Sequence, residues 1–120
     1  MDENDRRQFV RLKTKLVTFL KRPETGKVKR VLTKDIGGIG ICVISDDRDE
    51  PNTPLEVELK LPDSEKPITF KGLVVWSRVV EEPKQSYKPS VVETGIKFAE
   101  IDPKQRALIM QYAVLNAMPN

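Results

Sequence analysis

The sequence contains no histidine and one cysteine in 120 residues. Lack of histidine removes the commonest general base and the commonest transition-metal ligand. A single thiol cannot close a disulfide within the chain or build a thiolate zinc or iron–sulfur site. That cysteine, Cys42, sits in an apolar run from Ile39 to Ile44, and reads as a buried, inert thiol in a reducing compartment. Aromatic residues are only 6% of the chain, few for the stacking platform of a single-stranded nucleic-acid binder. No apolar run is long enough to cross a bilayer, and the N-terminal residues are charged rather than leader-like. A cytoplasmic protein without membrane association is expected. No nucleophile and base are paired in the pattern of an active site, so an enzyme is not expected.

What is present is basic charge near the start. The net charge is only +3, too little to argue for nucleic acid as a partner. Yet Arg6, Arg7, Arg11, Lys13, Lys15, Lys21, Arg22, Lys27, Lys29 and Arg30 fall in the first quarter, and the acidic segment Asp46 to Glu50 follows later. A chain of this length supports one domain with one core and no covalent staples. From Phe9, apolar residues alternate with basic ones, and the alternation changes phase at Leu16–Val17, which predicts a bulge there. Turns are expected at Arg22–Gly26 and Pro62–Pro67, and strands over 27–33, 39–44, 55–61, 70–80 and 91–99. Asp102-Pro103-Lys104-Gln105 reads as a helix N-cap, a proline at the first helical position and a glutamine placed to close a capping box. Leu108, Tyr112 and Leu115 continue at helical spacing, beside Ile109 and Ala113. Many short antiparallel strands with one terminal helix indicate a barrel or sandwich.

Two short motifs could carry chemistry. Arg7 and Arg11 are four residues apart at a strand entrance, and paired guanidinium groups suit phosphate oxygens and the guanine Hoogsteen edge. Alone, the pair reads as a solvated basic arm. Asp35-Ile36-Gly37-Gly38-Ile39-Gly40 offers a carboxylate and a glycine-rich turn. Its glycines are expected to break regular structure, to permit positive φ and to allow close backbone approach. Alone, it reads as a tight β-turn. Neither a phosphate loop with lysine nor a dinucleotide fingerprint fits the residues that follow. Trp76 reads first as core or barrel wall and second as a stacking platform beside Arg78. Asp46 to Glu50 reads as a solvated loop, because it lacks calcium-loop spacing. Lys13, Lys15, Lys27 and Lys29 read as the wet face of a hairpin.

In this order, R-x-x-x-R at Arg7–Arg11 and D-x-x-x-x-G at Asp35–Gly40 resemble the PilZ domain family. Val75-Trp76-Ser77, Thr94-Gly95-Ile96-Lys97-Phe98 and the helix after Asp102 are similar to it too, so the resemblance runs from about Arg6 to the last helix. It implies a mainly β fold: a six-stranded antiparallel PilZ-type β-barrel over 9–120 with a C-terminal helix at about 103–117, preceded by a flexible arm over 1–8. It also implies a bacterial receptor for cyclic di-GMP. Arg7 and Arg11 would meet phosphate and guanine, Asp35 a guanine edge, and Gly40 would permit the close turn. Arg6, directly before the motif, implies an intercalated pair of ligands on each chain. Gly37 and Gly38 complete the turn, and Trp76 and Arg78 flank it. The family usually has serine where Gly37 stands, and the missing hydroxyl is expected to weaken binding by about 0.5–1.5 kcal/mol without abolishing it. Ligand would order the arm over the barrel and change the surface shown to an unidentified downstream protein. No metal or further cofactor is implied. The alternatives are a PilZ-like interaction module that has lost its nucleotide, and a small barrel for single-stranded nucleic acid.

Overall fold

A computed structural model describes residues 10–85 and 87–117. Seven strands precede one helix: β1 (Arg11–Lys13), β2 (Val17–Lys21), β3 (Val28–Gly37), β4 (Gly40–Ser45), β5 (Pro54–Leu59), β6 (Ile68–Glu81), β7 (Val91–Glu100) and α1 (Pro103–Ala117). All pairings are antiparallel. β3 pairs with both β2 and β4, and this closes a six-stranded barrel in the order β3-β2-β5-β6-β7-β4. β1 extends the edge of β3 beyond β2 and adds a further short strand to the expected six.

The first strand was expected to be continuous with a bulge. Instead, residues 14–16 leave the ladder and separate β1 from β2. Thr33, fully buried, stitches the gap. Its hydroxyl accepts from the Leu16 amide at 2.9 Å and donates to the Thr14 carbonyl. Two backbone bonds, from the Thr14 amide to the Lys34 carbonyl at 3.1 Å and from the Thr33 amide to the Leu16 carbonyl at 3.0 Å, also span the gap, and the buried hydroxyl satisfies the groups they leave over.

Inward-facing Ile36, Ile41, Val43, Leu59, Ile68, Val74 and Ile96 fill the barrel, each at most 2% exposed. α1 packs on β1 and β3, and Ile109 and Ala113 join the core. The helix begins as its sequence predicts in one respect: the Lys104 amide donates to Asp102 Oδ1 at 2.8 Å. The capping box does not form. Gln105 instead accepts from the Thr69 amide at 3.3 Å, satisfying the start of β6. The buried helix face is the one that carries Ile109 and Ala113, while Leu108 and Leu115 are 46% and 62% exposed.

The glycines of the β3–β4 connection were expected to break regular structure and take positive φ. Gly37 ends β3 and Gly40 starts β4, and the glycine with positive φ is Gly26, at 73°, in the β2–β3 turn. Gly40 is needed for close approach instead. A Cβ there would lie 2.1 Å from the Ile96 carbonyl oxygen and 2.8 Å from the Lys97 Cα. Neither backbone atom can swing away as a side chain could. Gly40→Ala is therefore expected to lower stability by about 2–3 kcal/mol, read as a fall in the urea midpoint; an unchanged midpoint would mean that β4 and β7 are not so close.

Candidate functional site

Strand alternation puts successive residues on opposite sides of the wall, so the side on which Asp35 emerges depends on the register of β3. Thr33 pairs with Val43 and Asp35 with Cys42, which leaves Lys34 as an extra residue in the ladder. This bulge carries Asp35 to the outer surface, on the same side as Arg11. Arg11 lies opposite Gly37 and Lys13 opposite Asp35. Arg11 Nε donates to Asp35 Oδ1 at 2.8 Å, and a second guanidinium nitrogen bonds the same oxygen. The arginine reaches it by lying across Gly37: a Cβ at that position would be 2.9 Å from the Val10 carbonyl oxygen and 3.3 Å from Arg11 Cγ and Nη1. Glycine at 37 and the folded-down Arg11 thus belong together.

The same device moves Trp76. Val74 pairs with Ile96 and Trp76 with Gly95, so Val75 is the extra residue. Val74 faces the core, and strict alternation would have sent Trp76 there too. The bulge turns it outward, where it is 38% exposed, so of the two placements expected first, core or barrel wall, Trp76 takes the wall. Its indole lies across Gly95, where a Cβ would be 2.4 Å from the indole Nε1. The Arg78 guanidinium sits 5.0 Å from the ring centroid, within cation–π range. Glu93, with its side chain 11% exposed, holds two cations: Lys34 Nζ at 2.8 Å and Arg78 at 3.8 Å. Its hydrogen bond raises the Lys34 pKa above the ordinary lysine value.

Gly38 and Ile39 form the turn between these strands. The Ile39 carbonyl accepts from the Phe98 amide at 3.0 Å. The Gly38 carbonyl accepts from Arg106 Nε of α1 at 2.9 Å. A cavity of about 280 Å³ opens beside the turn, lined by Arg11, Asp35, Ile39 to Cys42, Val75, Trp76 and Gly95 to Lys97. Of the predicted residues, the fold brings Arg11, Asp35, Gly40 and Trp76 to this cavity. Arg78 stacks on its tryptophan wall. Gly37 lies beneath Arg11, and Gly38 is turned toward the helix. Arg6 and Arg7 lie outside the described residues. Sequence reasoning missed Lys97, Glu93, Lys34 and Arg106. Lys97 lies within the Thr94-Gly95-Ile96-Lys97-Phe98 stretch already noted and Glu93 directly precedes it, but no spacing rule distinguishes Arg106 from an ordinary helical arginine.

A larger cleft of about 720 Å³ lies elsewhere, between the ends of β2, β5, β6 and β7. Glu56, Glu58, Glu100 and Asp102 outnumber Lys21 and Lys71 in its lining, the wrong balance for an anion. The acidic loop is anchored rather than merely solvated. Lys29 bonds Asp46 at 2.9 Å and Asp47 at 3.2 Å, Arg22 pairs with Asp49, and the Asp49 amide donates to Ser77 Oγ at 3.0 Å. Hydrogen bonding by Lys29 lowers the Asp46 pKa, and Lys29 is to that extent not a wet-face residue. Among the described residues, no cluster of acidic or cysteine side chains is placed to hold a metal, and no helix is long and apolar enough to cross a membrane.

A closed six-stranded barrel, a terminal helix and an outer-wall Arg–Asp pair beside a tight glycine turn define a class, and residues 5–114 match the family model described as PilZ domain. The chain belongs to the PilZ domain family. Among solved structures it is similar to MotI (DgrA), the inhibitor of motility of Bacillus subtilis, with 25% identity and a TM-score of 0.70 over 94% of this chain and 53% of that one. MrkH, described as a c-di-GMP-dependent transcription regulatory factor, is 17% identical with a TM-score of 0.67, over 89% of this chain and 50% of that one. The PilZ domain of YcgR from Escherichia coli, solved with c-di-GMP, is 10% identical with a TM-score of 0.63, over 88% and 86%. The chain thus spans about half the length of MotI and MrkH. No curated protein matches the sequence.

Cys42 lines the cavity but is 4% exposed. Burial, aided by Asp35 and Glu93, pushes its thiol from 9.0 up to about 11. The folded protein holds this proton to higher pH than the unfolded chain. The associated stability is therefore intact below about pH 9 and is lost as the pH rises toward about 11. Native protein at mildly alkaline pH should resist iodoacetamide and become reactive in denaturant; fast native alkylation would contradict the buried placement.

Proposed function

We propose that this chain is a cyclic di-GMP receptor that performs no chemistry and signals by a change of surface. The observation that carries the reading is the Arg11–Asp35 pair on the outer wall, one step from Trp76 and the Gly38–Ile39 turn. Without ligand the two side chains neutralise each other. Guanine offers N1–H and N2–H donors to Asp35, while its Hoogsteen edge and the phosphodiester oxygens offer acceptors to Arg11. Ligand entry thus exchanges one set of charge-assisted bonds for another, so Arg11 and Asp35 lose little by parting. The Trp76 face, with Arg78 held by Glu93, supplies a flat cationic wall on which a purine stacks. Arg6 and Arg7 would close over the ligand from the N-terminal arm, ordering it and altering what a downstream protein meets. The known c-di-GMP complexes of family members support the ligand class.

Calorimetric titration with cyclic di-GMP tests this reading. Micromolar or tighter binding is expected, about −8 kcal/mol or better, with two ligands per chain. Arg11→Ala and Asp35→Ala should each weaken it at least about tenfold, since a bidentate polar contact is worth about 1–3 kcal/mol. No heat at high micromolar ligand would overturn the receptor reading. Parent-like binding by both variants would move the site elsewhere.

A further inference from the structure

We propose that Arg106 makes the C-terminal helix part of the ligand site, by clamping the Gly38–Ile39 turn so that site occupancy and helix position are coupled. The proposal rests on the receptor reading above. The turn joins β3, which carries Asp35, to β4, which carries Gly40 and Cys42. Its position therefore sets the width of the cavity between Asp35 and Trp76. Each carbonyl of the turn is held from a different element: Ile39 by the β7 amide of Phe98 at 3.0 Å, and Gly38 by Arg106 of α1 at 2.9 Å. The β7 contact is a backbone bond, common to any sequence on this fold. The helix contact depends on one side chain.

The helix is well placed to feel the site. It packs on β1 and β3, the strands that carry Arg11 and Asp35. One and two turns beyond Arg106, Ile109 and Ala113 seat it in the core. From Ala107 to Ala117 the helix has no charged side chain, so Arg106 is its last ionic hold on the barrel. A shift of the turn as Arg11 and Asp35 part is passed to the helix through this bond. By linkage, whatever displaces the helix changes ligand affinity to the same degree. Leu108 and Leu115 are exposed and line a groove with Leu61 of the β5–β6 connection, so helix movement alters an apolar surface outside the ligand cavity.

Amide hydrogen exchange and calorimetry on the full chain test this together. Arg106→Ala leaves the Gly38 carbonyl without its donor; a charged hydrogen bond of this kind corresponds to about tenfold in an equilibrium. Exchange at the Phe98 amide should rise about tenfold without ligand, amides of β5 should stay unchanged, and cyclic di-GMP affinity should fall about tenfold. Arg106→Lys, which can still donate one bond, should restore most of both. In the parent, ligand should slow exchange at Ile109 and Ala113. Unchanged Phe98 exchange or parent-like affinity in Arg106→Ala overturns the clamp. Failure of lysine to rescue reduces Arg106 to a packing role, and a helix insensitive to ligand overturns the coupling. A parent that gives no heat is a separate failure, of the receptor reading itself, and takes the coupling with it, whereas the ligand-free Phe98 measurement still decides whether Arg106 holds the turn.

Discussion

Two-residue alternation along a β-strand is the constraint from which the candidate site follows, because the site exists only where that alternation is broken. Lys34 in β3 and Val75 in β6 are each one residue too many for their ladders. The first brings Asp35 to the outside beside Arg11; the second brings Trp76 to the outside over Gly95. Without these bulges, a carboxylate and an indole would point into a core of Ile, Leu and Val. An unpaired buried carboxylate there would cost several kcal/mol, or would titrate to its neutral form. Bulges that re-aim a side chain beside a binding site are a recurrent use of this irregularity.

Glycine then works by absence rather than by conformation. Gly40 lets β4 press on β7, Gly95 lets the indole lie flat, and Gly37 lets Arg11 fold onto Asp35. The serine usual in the family at position 37 would push against the Val10 carbonyl and the arginine stem. The departure at this position is therefore matched to a particular resting state, in which Arg11 and Asp35 satisfy each other across a bare backbone.

Much of this was readable from sequence. The six barrel strands and the helix start at Asp102 and Pro103 follow from alternation and capping chemistry, and motif order singles out Arg11, Asp35 and Gly40, which the fold brings to one cavity. The choice between core and wall for Trp76 was left open for one reason: a single inserted residue reverses every later side chain, and nothing local marks Val75 as the insertion. Which helix face is buried was open for a related reason. Spacing identifies a helix, but which face it buries is decided by the barrel end it meets. Glu93 and Arg106 were invisible because their roles depend on partners 59 and 68 residues away, Lys34 and Gly38.

The chain has a single tryptophan, and that tryptophan forms one wall of the cavity, so its fluorescence reports on this site alone. Titration with cyclic di-GMP should change Trp76 emission saturably, with the same midpoint as the calorimetric isotherm, and the change should be lost in Asp35→Ala at the same ligand concentrations. Calorimetric binding with no response from Trp76 would place the ligand elsewhere on the barrel and contradict the account.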